Sequence, residues 1–131
     1  MKTVLIIEDN PINAKLIRDT LQLHGYATWE APTARDGIAL AKEKKPGLII
    51  MDIGLPGMDG LTATRILKTD PVTAHIPVIA VTAYAMKGDE EKCLAAGCNA
   101  YVPKPININS LLNEVKLLLE HERPPYNLPV V

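Results

Sequence analysis

The 131-residue chain is 47% apolar and carries 14 basic against 15 acidic side chains, for a formal net charge of −1 at pH 7. That is enough apolar material for one domain with a single core, and the balanced charge leaves no basic footprint for a nucleic-acid backbone. Apolar runs such as Val4 to Ile7 and Leu48 to Met51 are far too short to cross a bilayer and no secretory signal pattern follows Met1, so a cytoplasmic location is expected, with no membrane partner.

In chain order, short apolar runs alternate with longer stretches of helical periodicity, which predicts an α/β domain built on a mainly parallel sheet. The first strand is expected at Thr3 to Ile7. A helix follows, capped by Asn10 with Pro11 in its first turn, carrying Ile12, Leu16, Ile17 and Leu21 on one face and stopping at Gly25. A second strand, Ala27 to Ala31, leads through Thr33 and Asp36, an approximate capping box, into a helix whose Ala34, Ile38 and Ala41 face inward. The third strand is Gly47 to Met51, and its helix runs from about Leu61 to Lys68 before Asp70-Pro71 ends it.

The fourth strand is Pro77 to Val81. The helix after it, near Met86 to Ala96, has the weakest pattern, because 87–92 is almost wholly polar and little beyond Cys93, Leu94 and Ala95 is available for its inward side; scant packing marks it as a mobile element. The fifth strand, Asn99 to Val102, precedes the clearest helix, where Ile108, Leu111, Leu112, Val115, Leu118 and Leu119 recur at three- and four-residue spacing. One domain is expected over 1–122, with 123–131 as a short disordered tail. The first, third and fourth strands are apolar almost throughout instead of alternating, so both of their faces should be covered and they should lie at mid-sheet. Cys93 and Cys98 fit neither a redox pair nor a zinc spacing and are expected to be packing thiols, while His24, His75 and His121 read as surface or capping residues.

Ligands of an open parallel sheet bind beyond the carboxyl ends of its strands, at the point where strand order reverses. Those ends are acidic here: Glu8 and Asp9 follow the first strand and Asp52 the third, neighbours in the common order 2-1-3-4-5. Three converging carboxylates repel one another, and protonation, a cationic side chain or a hard cation would relieve them; Mg2+, with its preference for oxygen ligands, suits such a cluster. Thr82 brings a hydroxyl and Lys104 a positive charge to the same edge. A positioned carboxylate, metal-binding acids and donors for a transferred group are the parts of phosphoryl transfer to a carboxylate, with Asp52 on the middle strand as the nucleophile.

Four blocks carry a resemblance: Ile-Glu-Asp-Asn at 7–10, Met-Asp-Ile-Gly-Leu-Pro-Gly-Met-Asp-Gly at 51–60, Ala-Val-Thr-Ala at 80–83 and Tyr-Val-Pro-Lys-Pro at 101–105. In order and spacing they resemble the CheY-like receiver domain of two-component response regulators, over Lys2 to about Glu120. The resemblance implies a flavodoxin-like (βα)5 fold, a doubly wound parallel five-stranded sheet whose order 2-1-3-4-5 is carried over with it. It also implies that Asp52 takes a phosphoryl group from a phosphohistidine on a sensor histidine kinase or histidine phosphotransfer protein. Asp9, Asp52 and the Gly54 carbonyl would hold Mg2+, with Mn2+ as a substitute, and Glu8 would act through a metal-bound water. Thr82, Ala83 and Lys104 would contact the phosphoryl group, Thr82 and Tyr101 would form the switch, and Lys104-Pro105 would be a cis peptide. The downstream target would bind the face made by the fourth and fifth strands and their helices.

The stretch His75 to Glu91 further resembles single-domain cell-division regulators and the receivers of hybrid histidine kinases. A stand-alone signalling switch is therefore expected, not an enzyme acting on other substrates, and the alternative is a receiver from a hybrid kinase. A magnesium-dependent phosphatase would want a second acid where Gly54 stands. A flavodoxin-like cofactor module would want a hydroxyl- and glycine-rich phosphate loop where Glu8 and Asp9 stand.

Overall fold

Five short strands lie side by side in the computed structural model, which describes residues 2–83 and 87–120, the side chains of 87–89 excepted. The elements are β1 (Thr3–Ile7), α1 (Pro11–Leu23), β2 (Ala27–Ala31), α2 (Ala34–Lys44), β3 (Leu48–Asp52), α3 (Gly60–Thr69), β4 (Val78–Thr82), α4 (Lys87–Ala96), β5 (Ala100–Pro103) and α5 (Ile108–Glu120). The strands form one parallel sheet in the order β2-β1-β3-β4-β5, as expected. Three expectations fall outside the described residues: Met86 as the start of α4, His121 as a surface or capping residue, and the tail at 123–131. Among the described residues no helix is long and apolar enough to cross a membrane.

Period-two alternation splits the apolar residues of the central strands between two layers. Leu5, Ile7, Ile49, Met51, Val78 and Ala80 pack on the side of α2, α3 and α4, while Val4, Ile6, Leu48, Ile50, Ile79 and Val81 pack on the side of α1 and α5. Both faces are covered, which is why β1, β3 and β4 read as continuous apolar runs and stand at mid-sheet. At the edge, β2 is mixed: Trp29 is 39% exposed, with the Lys44 ammonium 4.6 Å from its ring centroid.

Helix α1 departs from its expected face. Ala14, Ile17 and Leu21 are buried, but Ile12 is 77% and Leu16 44% exposed. At about 100° per residue, Ile12 and Leu16 stand roughly 140° round the axis from Ile17 and Leu21, so two separate i,i+4 pairs had been merged into one face. In α4, Cys93 and Ala96 are buried, whereas Leu94 points out and Ala95 is exposed, reversing their expected inward placement. Helix α5 follows its pattern, with Leu111, Val115 and Leu119 buried and Ile108, Leu112 and Leu118 half-buried. Both cysteines are buried free thiols, as their spacing suggested. His24 caps α1, its Nδ1–H donating to Thr20 O at 2.9 Å, and His75 is exposed.

The buried Tyr26, just before β2, donates its hydroxyl to the carboxylate of Glu120 at the end of α5. Burial first, and then this bond, push the phenol up to about 12. The stabilisation is present below the ordinary tyrosine value of 10.0 and is lost as pH rises through about 12. Tyr26→Phe is expected to cost about 1.5 kcal/mol, the scale of a buried hydrogen bond to a charged group. Urea unfolding at neutral pH would register it as a lower midpoint at unchanged slope.

Candidate functional site

Parallel strands all end at one edge, and register decides which ends are adjacent. Ile7 lies beside Met51 and Asp52 beside Val81, so the chain leaving β1 emerges next to the last residue of β3. Each of β3, β4 and β5 ends one residue later than the sequence suggested, which makes Asp52 and Thr82 terminal strand residues and places Lys104 just past Pro103. The Lys104 N–H donates to Thr82 O at 2.6 Å, and Ile53 N–H donates to Val81 O at 2.9 Å, so pairing continues up to the rim.

There, one carboxylate oxygen each from Glu8, Asp9 and Asp52 lie within 4.8 Å of one another. Glu8 and Asp52 are buried, at 5% and 4% exposure, and Asp9 is exposed. The Lys104 ammonium is 3.2 Å from Asp52 Oδ2 and 3.5 Å from Glu8 Oε1. The other Asp52 oxygen, Oδ1, accepts the Gly54 N–H at 3.0 Å, which fixes the carboxylate from two sides. Sequence reading took Asn10 only as a helix cap. It does cap α1, accepting from Ile12 and Asn13 N–H, but its own N–H also donates to Glu8 Oε2 at 3.1 Å. Only its position two residues after Glu8 hinted at this, since a side chain of that length can fold back on the next turn.

Thr82 is buried and Ala83 is exposed at the same rim. By strand alternation Thr82 projects to the layer of α2, α3 and α4, where the half-buried Tyr101 also packs. Tyr101 pairs with Ala80 and Pro103 with Thr82, so Thr82 and Tyr101 are diagonal neighbours on one face of β4 and β5. The Lys104-Pro105 peptide is cis.

Among the described residues three carboxylates face one ammonium, and the shortfall shows in Glu8. Burial, then a hydrogen bond with Asp52, raise its pKa from 4.5 to about 7, against the opposing pull of the Asn10 N–H and Lys104. Such a group holds a proton in the fold that it releases on unfolding, so without metal the protein loses stability as pH rises between 4.5 and about 7. Glu8→Gln removes this titration. Its apparent melting temperature in chelator is expected to exceed that of the wild type above about pH 7 and to vary less with pH, as scanning calorimetry would show. An all-oxygen donor set with excess negative charge fits a hard divalent cation of the magnesium type.

A doubly wound α/β sheet with an acidic, lysine-bearing rim at the switch between β1 and β3 defines a class of phosphoacceptor signalling modules. The model of the response regulator receiver domain matches residues 4–116, and the chain belongs to that family. It is 48% identical over 118 residues to the polar-differentiation response regulator DivK of Brucella anthropi, covering 90% of this chain and 96% of that protein. The DivK of Brucella ovis is equally similar. Among solved structures, the receiver domain of the sensor histidine kinase PA1611 from Pseudomonas aeruginosa, crystallised with magnesium in its active site cleft, is 33% identical. It superposes with a TM-score of 0.83 over 91% of this chain and 98% of that one. The signal receiver domain of a histidine kinase from Syntrophus aciditrophicus is 30% identical, with a TM-score of 0.86 over 99% and 98%.

Proposed function

We propose that Asp52 is the phosphoacceptor of a two-component phosphorelay. The observation that carries this reading is the placement of its carboxylate, buried at a strand end, held by Gly54 N–H and Lys104, and in contact range of Glu8 and Asp9. Asp52 would attack the phosphorus of a phosphohistidine on a kinase or phosphotransfer protein. The P–N bond breaks as the P–O bond forms, and the departing imidazole takes up a proton. Asp9, Asp52 and the Gly54 carbonyl would hold Mg2+, or Mn2+ in its place, with Glu8 reaching it through water; the ion supplies charge neutralisation for the phosphoryl oxygens. Lys104 would then pair with the transferred group, which Thr82 and the backbone at Ala83 would also contact.

The switch follows from the diagonal placement of Thr82 and Tyr101. Phosphorylation draws the Thr82 hydroxyl toward the new oxygens, and the ring of Tyr101 takes up the room it leaves on the same face. That biases the surface of β4, α4, β5 and α5, which a downstream protein would read. The DivK likeness supports a stand-alone regulator; the likeness to receivers of sensor histidine kinases keeps a hybrid kinase as the second reading. Intact-mass measurement after incubation with acetyl phosphate and Mg2+ tests the chemistry. A single phosphoryl adduct that disappears with chelator is expected, and an adduct formed equally well in chelator would refute the role given to Glu8 and Asp9.

A further inference from the structure

Gly60 opens α3 pressed against the strand end that carries Asp52. A β-carbon there would lie 2.5 Å from the carbonyl oxygen of Asp52 and 2.7 Å from Cα of Ile53, both backbone atoms, with Ile53 Cδ1 at 3.0 Å. No rotamer change relieves a clash with backbone. Restoring ordinary contact at 3.4 Å would require a shift close to 1 Å in either α3 or the Asp52-Ile53 segment. The seat is also bonded. Gly60 N–H donates to Ile53 O at 3.1 Å, and the fully buried Thr64 hydroxyl donates to Gly60 O at 2.7 Å. Behind it, the Cys98 thiol approaches the Thr64 oxygen at 3.9 Å.

We propose that Gly60, fastened by Thr64, is a positioning residue for the phosphoacceptor. Its missing side chain lets α3 clamp the turn through Ile53 and Gly54, and that turn holds Asp52 Oδ1 through the Gly54 N–H in register with Glu8, Asp9 and Lys104. The inference rests on the phosphoacceptor reading and deepens it. A displacement of about 1 Å at a reacting group can cost about a hundredfold in rate, so the clamp is a kinetic device as well as packing.

The test compares Gly60→Ala with Gly97→Ala, measuring Mg2+ affinity by calorimetry and the initial rate of labelling by acetyl phosphate on folded protein. Gly97 has φ +109, and the nearest atoms to a β-carbon there belong to the flexible Lys68 side chain, at 2.8 Å and beyond, on the opposite rim of the sheet. Both variants should lose thermal stability. Gly60→Ala is expected to label about ten- to a hundredfold more slowly and to bind Mg2+ at least about tenfold more weakly, while Gly97→Ala keeps both within about twofold. Thr64→Val should slow labelling about threefold or more, and Thr64→Ser, which keeps the hydroxyl, should restore it. A folded Gly60→Ala that labels at the wild-type rate would reduce Gly60 to a packing residue. Should that variant not fold, equal rates for Thr64→Val and Thr64→Ser would overturn the proposal. A wild type that takes no label at all would instead sink the phosphoacceptor reading, and this inference with it.

Discussion

Asp52→Asn is expected to abolish labelling by acetyl phosphate completely, with no adduct above background at any Mg2+ concentration. The amide keeps the size and the contact with the Gly54 N–H, but it has no negative oxygen to attack phosphorus and cannot pair with Lys104. The same change removes one of three crowded carboxylates. Glu8 loses the neighbour that helps to raise its pKa, so the metal-free variant should be more stable than the wild type above about pH 7 even as its chemistry is lost. Gain in stability with loss of labelling separates a site under electrostatic strain from a fold held by its acids. A labelled Asp52→Asn protein would mean that another group is the acceptor.

The second large effect is on the cation. Asp9→Ala should weaken Mg2+ binding by about a hundredfold or more, since even partners one layer outside a metal typically contribute ten- to a hundredfold and Asp9 offers a direct oxygen. Wild-type affinity should itself fall with acid. Glu8 holds its proton up to about 7, so below that pH the cation must displace a proton to recruit the carboxylate, whereas above it the carboxylate is already charged. Titration calorimetry at several pH values would show proton release on binding below about 7 and little above. Unchanged affinity in Asp9→Ala would remove that residue from the cation site.

The full strand order came only with the family resemblance. The mid-sheet place of β1, β3 and β4 and the location of the rim were legible because they depend on coarse signals, unbroken apolar runs and the acids that follow β1 and end β3. The phase of α1 was not, because Ile12 and Leu16 satisfy i,i+4 spacing just as Ile17 and Leu21 do, and only packing against the sheet decides which pair turns inward. Leu94 misled for a related reason. A nearly polar helix offers few apolar choices, and small residues, Cys93 and Ala96, fill its inner side. Side-chain identity announced Glu8, Asp9, Asp52 and Lys104, but the supports for Asp52 and Glu8 are backbone groups, the N–H of Gly54 and of Asn10, which composition does not display. Gly60 was quoted only within a motif. Its role depends on an approach distance, which requires α3 and β3 to be placed in space.

The chain has a single tryptophan, and it sits on β2 under the Lys44 ammonium, with all of β1 between it and the strand that carries Asp52. Its emission therefore gauges the integrity of the sheet margin and the end of α2. Loss of that stacked pair will announce unfolding, whereas filling of the acidic rim should leave the indole almost dark to the event.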